Sequence, residues 1–241
     1  MHRILIAPQI HAGSVVTITD RRTIHHLRNV LRVQAGEPIA CADGQGRLYI
    51  GRIAQQVASA VTVAVEREQQ EPAAALQITL AQAMIRPESF EWVLQKATEL
   101  GASRIIPTVC ARSSLRHASS SRVDRWRRIL EAASAQCGRA TVPQLDRATP
   151  LADVLQGARR QATWLLTLQG EGRPIREELM RLGGLAELVV LIGPEGDFTA
   201  EEVQQALEAG ARPIHLAGGI LRSETAALAT LVLAQQAVGA L

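Results

Sequence analysis

The sequence predicts an α/β protein in two parts: a small β-rich module, then a larger domain on a mostly parallel sheet. Three observations carry this. Short β-branched runs crowd the first 71 residues. A polar stretch ending in proline, Glu66-Arg67-Glu68-Gln69-Gln70-Glu71-Pro72, closes them off like a linker. Beyond it, apolar runs of strand length alternate with helical patterns. The expected domains are residues 1–71 and 72–241.

In the first part, Ser14–Thr19, Arg47–Ile53 and Ala60–Glu66 read as strands, and Asp43-Gly44 as a turn between two of them. One helix interrupts them, capped by Asp20, with Ile24, Leu27, Val30 and Leu31 on one face. Several short strands with one helix suggest a compact barrel. In the second part Leu76–Ala81 is a strand. Pro87 opens a helix to about Leu100, closed by Gly101, with Phe90, Val93, Leu94, Ala97 and Leu100 as its apolar stripe. Arg104–Thr108 is the next strand, and Ser121 with Asp124 resembles a capping box ahead of a helix reaching Ser134. Trp164–Leu168 and Leu188–Ile192 are buried-strand runs; Thr199 and Glu202 form a second capping box; Pro213–Leu216 is a short strand. The last helix, from about Glu224, is apolar on nearly every side, so the fold or a partner subunit must cover it.

Composition narrows the function classes. Apolar residues make up 47% of 241 residues, which suits a globular chain. Aromatics are 2%, too few for stacking platforms along a nucleic acid. The net charge of +3 is small, but its distribution is not even. Between Gly101 and Leu130 stand Arg104, Arg112, Arg116, Arg122, Arg125, Arg127 and Arg128 against Asp124 alone, a pattern suited to phosphates. Cys41, Cys110 and Cys137 lie far apart without metal spacing, as expected of free thiols in a reducing compartment. No run approaches a membrane span, and the N-terminal apolar run is too short for a signal peptide; the expectation is a soluble, cytoplasmic protein. GxGxxG and GxxxxGK[ST] are absent, which disfavours Rossmann dehydrogenases and P-loop NTPases. No His/Cys cluster has zinc spacing, His215 reads as a core histidine, and Ser223 lacks an evident His/Asp partner for a hydrolase triad.

Ligands of open α/β sheets bind beyond the carboxyl ends of strands. Three expected strand ends here carry glycine-rich turns: after Leu168, after Ile192 (Gly193-Pro194-Glu195-Gly196) and after Leu216 (Ala217-Gly218-Gly219). A second polar cluster, Ile220-Leu221-Arg222-Ser223-Glu224-Thr225-Ala226, crowds the start of the last helix. Capping by Ser223 and the helix dipole explain Ser223 and Glu224. They leave Arg222 unexplained, because its charge opposes the dipole; an Arg there suits an anion.

Four segments in order resemble the ribosomal RNA small subunit methyltransferase E family, within the knotted SPOUT methyltransferases. They are His25-His26-Leu27-Arg28-Asn29-Val30-Leu31-Arg32, Gln95-Lys96-Ala97-Thr98-Glu99-Leu100-Gly101, Ile192-Gly193-Pro194-Glu195-Gly196, and Ile220 to Ala226. The resemblance implies a PUA-like RNA-binding β-barrel followed by a SPOUT-type α/β methyltransferase domain with a trefoil knot, assembled as a homodimer. It implies S-adenosylmethionine as cofactor, no metal, and uridine N3 of 16S ribosomal RNA, free or in the small subunit, as target. Cofactor contacts would come from Leu168, Gly193, Pro194, Glu195, Gly196, Leu216, Ala217, Gly218, Ile220 and Leu221. Arg222 would stabilise charge on the uracil, with Glu195 or Glu224 assisting proton removal. Arg28, Arg32, Arg112, Arg116 and Arg125 would grip RNA. The chain departs from the family where Asp197 replaces a usual second glycine, where Ala217 and Gly219 replace a usual Gly and Arg, and where Arg86 replaces a common Lys. Methylation of a ribose 2′-OH or another base, and a non-catalytic RNA-binding or ribosome-assembly role, are the alternatives.

Overall fold

A computed structural model describes residues 1–6, 11–12, 14–170, 172–216 and 219–240. They form two compact units, Met1–Ala73 with Glu131–Val142, and Ala74–Leu130 with Pro143–Leu241. The segment 131–142 is therefore part of the first unit, although it lies far beyond the polar stretch at 66–72.

The first unit is one six-stranded sheet. Its strands are β1 (His2–Leu5), β2 (His11–Ala12), β3 (Val15–Ile18), β4 (Pro38–Ala42), β5 (Arg47–Val57) and β6 (Ala60–Gln70), in the order β1-β4-β5-β6-β3-β2. β1 and β4 pair in parallel and the others antiparallel. Strand alternation sorts the side chains: Ile39 and Cys41 enter the main core with Val16, Tyr49, Ile53, Val61 and Val63, while Ala40 and Ala42 pack with Leu48 and Ala140 on the other face. At the Asp43-Gly44 turn the Asp43 carboxylate accepts the N–H groups of Gln45 (2.7 Å) and Arg47 (3.0 Å), and Gly44 takes φ +75°. Gly51 sits at a register shift in the β5–β6 pairing; a Cβ there would stand 2.0 Å from the Ala64 carbonyl oxygen.

Asp20 caps α1 (Arg21–His25) by accepting the Thr23 N–H at 2.8 Å. The helix then widens to a π-turn over His26–Val30, with the Leu31 N–H bonded to the His26 carbonyl. The wider turn rotates the face. Leu27 is fully buried, but Val30 is 60% exposed, so Val30 does not lie on the apolar face that a regular helix predicts.

The second unit is an all-parallel sheet. Its strands are β7 (Gln77–Ala83), β8 (Arg104–Val109), β9 (Gln144–Leu145), β10 (Thr149–Pro150), β11 (Ala162–Leu166), β12 (Arg173–Pro174), β13 (Glu187–Ile192) and β14 (Arg212–His215). They run in the order β10-β8-β7-β13-β11-β14-β12, with β9 on β8. Helices α2 (Pro87–Glu99), α3 (Ser120–Cys137), α4 (Leu151–Ala158), α5 (Ile175–Leu179), α6 (Ala200–Glu208) and α7 (Ser223–Ala237) connect and flank them. α2 buries Phe90, Val93, Leu94 and Ala97, and the Phe90 ring lies 4.6 Å from that of Trp126 on α3. The capping box of α6 is complete: Thr199 accepts the Glu202 N–H and Glu202 accepts the Thr199 N–H. The other expected box is not formed. α3 starts two residues earlier than a Ser121 cap implies, Ser119 accepts the Arg122 N–H, and Asp124 pairs with Arg127 instead.

Strand order places the site. The chain leaves β8, forms β11, then inserts β13 between β7 and β11 and adds β14 on the far side of β11. Ile192, Leu166 and Ile214 are thus neighbours in register, and the loops that follow them emerge side by side.

Candidate active site

The three loops enclose a cavity of about 570 Å3 at the carboxyl edge of the sheet. Its wall is apolar where Leu166, Leu168, Ile192, Ile214, Leu216, Ile220 and Leu221 face it. Its polar groups are backbone, Arg86, Glu195, Asp197, His215, Arg222 and Glu224.

Two side chains, the Asp197 carboxylate and the Ser223 hydroxyl, hold the loops in place. Asp197 has φ +59°, a left-handed backbone that favours glycine but that Asp tolerates. Its side chain accepts the Thr167 hydroxyl (2.9 Å) and the Leu168 N–H (2.9 Å), tying the loop after β11 to the loop after β13, and the Phe198 N–H (2.8 Å) within its own loop. Gly193 is closely packed: a Cβ would sit 3.1 Å from the Phe198 ring and 3.2 Å from Asp197, so a neighbour would have to shift by a few tenths of an ångström. Ser223, first residue of α7, does not cap the helix as the sequence suggests. Its buried hydroxyl donates to the Gly193 carbonyl (2.6 Å) and accepts from Gln82 Nε2 (2.9 Å), latching α7 to β7 and to the end of β13. Gln82 is fully buried, and its Oε1 has no partner among the described residues.

The charged groups at the mouth differ in how far they are committed. Glu195 accepts the Arg86 N–H (3.2 Å) and the Ser114 hydroxyl (3.0 Å) and lies 3.6 Å from the Arg86 guanidinium. Partial burial works against its ionisation. The backbone N–H groups of Glu195 and Arg86, the Ser114 hydroxyl and the Arg86 charge outweigh that, and hold the carboxyl below its ordinary range. Arg222 occupies the N-cap position of α7, exposed, with no side-chain capping bond. Glu224 lies half-buried in the first turn. Neither of these two has a side-chain ion pair with a described residue.

Leu168, Gly193, Pro194, Glu195, Leu216, Ile220, Leu221, Arg222 and Glu224 are thus brought together around one cavity. Gly196 is turned away from it, toward the Arg112 side chain. Ala217 and Gly218 lie outside the described residues. Sequence reasoning passed over Arg86, Thr167, Asp197 and Ser223 as site-forming residues, and placed His215 in the core, whereas it lines the cavity. Of the five arginines expected to grip RNA, four make internal contacts. Arg112 donates to the carbonyls of Gly196 and Phe198, Arg116 to the Ala111 carbonyl, and Arg125 makes a two-pronged bond to Glu91. Arg28 reaches the Val57 carbonyl at 3.5 Å, and Arg32 takes φ +53°. Among the described residues no three His, Cys, Asp or Glu side chains gather as a metal site. No described helix is long and apolar enough to cross a membrane.

An all-parallel sheet with a lined cavity at adjacent strand ends fits the class that sequence comparison gives. Residues 72–235 match the RNA methyltransferase domain family, and residues 18–56 match the RNA methyltransferase PUA domain. Fold and site together define an RNA methyltransferase of the SPOUT class. Ribosomal RNA small subunit methyltransferase E of Synechocystis sp. is 30% identical over 238 residues, covering 97% of this chain and 76% of that protein. The Bacillus subtilis protein of the same name is 27% identical over 94% of this chain and 92% of its own length. The chain belongs to the ribosomal RNA small subunit methyltransferase E family. Among solved structures, the Neisseria gonorrhoeae methyltransferase of that name, bound to S-adenosylmethionine, superposes with a TM-score of 0.87 at 29% identity over 98% of this chain and 97% of that one. A putative methyltransferase from Legionella pneumophila, also in complex with that cofactor, gives 0.86 at 26% identity over 98% and 97%.

Proposed function

We propose that the protein transfers the methyl group of S-adenosylmethionine to N3 of a uridine in 16S ribosomal RNA. One observation carries the reading: three loops from adjacent parallel strands meet in one cavity with Arg222 and Glu224 at its edge. The cavity suits this cofactor. Leu166, Ile192, Ile214 and Leu221 offer an apolar slot for a purine, Gly193 leaves backbone accessible, and the volume is that of a small-molecule site. Leu168, Gly193, Pro194, Leu216, Ile220 and Leu221 would hold it.

When bound, the cofactor supplies a methyl group on a sulfonium that carries its own leaving group. The chain's task is therefore to prepare the acceptor. Uridine N3 bears a proton and becomes a nucleophile as that proton leaves. Glu224 is the better acceptor of it. Glu195 is held below its ordinary range and engaged by Arg86 and Ser114, so it serves as an anchor for the wall. The guanidinium of Arg222 stabilises the negative charge that spreads over the uracil carbonyls. Alignment of base and methyl by the latched loops supplies much of the remaining rate. The target base must be unpaired or flipped to enter.

The rest of the reading is architectural. The first unit carries RNA through its PUA fold, and the trefoil knot belongs to the loops around the cavity. A second copy covers exposed apolar side chains such as Trp92 of α2 (45% exposed) and Val232 of α7 (40% exposed). The working compartment is the cytoplasm. Titration calorimetry with S-adenosylmethionine tests the base of the proposal: saturable binding supports it, and no heat of binding at millimolar cofactor removes it.

A further inference from the structure

A second concavity of about 470 Å3 flanks β8, lined by the last residues of β8 and β10 and by Asp146, Arg147 and Ala148 just before β10. Val109 and Pro150, paired across these strands, make an apolar floor; Arg116, His117, Arg127 and Arg147 stand around it. The acid in it, Asp146, is neutralised by a two-pronged bond from Arg104. Arg127 pairs with Asp124 at 3.2 Å, but both side chains are about 60% exposed, so water and other anions compete for it readily. Arg147 is exposed and its guanidinium has no described partner. Arg116 commits one N–H to the Ala111 carbonyl and keeps its other donors.

Position gives this groove its meaning. All strands of the sheet are parallel, so the end of the groove at Val109 and Pro150 reaches the carboxyl edge on which the cavity opens. β8 lies two strands from β13, about 10 Å at the usual spacing. One segment joins them. After β8 the chain braces the loop after β13 through Arg112 on Gly196 and Ser114 on Glu195, and then supplies Arg116 and His117 to the groove.

We infer that this groove binds the backbone phosphates of the RNA strand flanking the nucleotide whose base enters the cavity. The inference rests on the methyltransferase reading and adds a subsite to it. Removing two arginines that contact phosphates weakens binding by a salt-dependent amount, and lowers the slope of log K against log salt by about 0.7–0.9 per lost contact.

The test is the full-length double variant Arg127→Ala/Arg147→Ala, with 16S rRNA transcribed in vitro as probe. Its control is Arg159→Ala/Arg160→Ala, which removes the same charge from exposed residues at the end of α4, at the opposite edge of the sheet. The expected result is roughly tenfold weaker RNA binding at about 0.1 M salt and a salt slope smaller by about 1.5. S-adenosylmethionine affinity should stay within twofold, the control should bind RNA like the unmodified protein, and Arg→Lys at both positions should restore most affinity. Equal loss in both double variants, or an unchanged slope in the groove variant, would overturn the inference. Failure of the unmodified protein to bind S-adenosylmethionine would instead overturn the function on which it rests.

Discussion

Replacing Asp197 by glycine separates two properties of the site that coincide in one residue. Glycine relieves the left-handed backbone, a gain of about 1 kcal/mol. It also removes three hydrogen bonds to a carboxylate, each worth about 1.5–3 kcal/mol when shielded. Shielding here is partial, because Leu168 is 57% exposed and water can replace its N–H bond. The balance is a loss of about 2 kcal/mol in holding the loops after β11 and β13 together. That loss appears as a smaller binding-competent fraction, so S-adenosylmethionine should bind about 30-fold more weakly. Asp197→Asn keeps the backbone tolerance and part of the acceptor set and should fall between. Calorimetry on the three proteins, with thermal unfolding as control, reads this directly. If Asp197→Gly binds the cofactor within twofold of the unmodified protein while folded, the tether is not what shapes the cavity.

Other outcomes follow from the same geometry. Arg222→Ala should lower kcat about 100-fold with cofactor affinity nearly unchanged, measured by single turnover and calorimetry; lost cofactor binding with normal chemistry at saturation would contradict the assigned role. Glu195→Gln should lower kcat less than about tenfold and leave the rate–pH profile unmoved. The Glu195 carboxyl lies below its ordinary range and is already ionised throughout the neutral region, so a shifted limb near neutrality would make it the base instead. Glu178 is buried among Arg212, Arg181 and Arg173. Burial opposes its charge, but the bonds and charges of Arg212 and Arg181 prevail and hold its pKa low. Its stabilising effect is therefore complete above the ordinary glutamate range and is lost as pH falls through the lowered value. Glu178→Gln should cost about 2 kcal/mol in urea unfolding at pH 7, discounted because the arginines are half exposed, and much less at pH 3.

Much of this architecture is legible in the residues themselves. The three glycine-bearing turns after apolar runs identify the strand ends that meet, because buried parallel strands read as continuous Val, Ile and Leu. The order of those strands is not legible: nothing local in Glu187–Ile192 says that it inserts between β7 and β11. Val30 misleads because a π-turn changes the period that places it outward. Ser223 misleads because a serine before a helix looks the same whether it caps the helix or reaches back to Gly193. Arg112 and Arg125 illustrate a further limit, since an arginine cluster in sequence does not reveal which charges are taken up by carbonyls or by Glu91. α4 is short, but its Leu151, Val154, Leu155 and Ala158 stand at helical spacing after Pro150.

The most direct measurement is nucleoside mass spectrometry of 16S rRNA after small ribosomal subunits are incubated with the protein and S-adenosylmethionine carrying a labelled methyl group. The expected label is in 3-methyluridine, accumulating about 100-fold more slowly with Arg222→Ala. Label on a ribose 2′-oxygen or another base, or no label from protein that binds the cofactor, would contradict the proposed function.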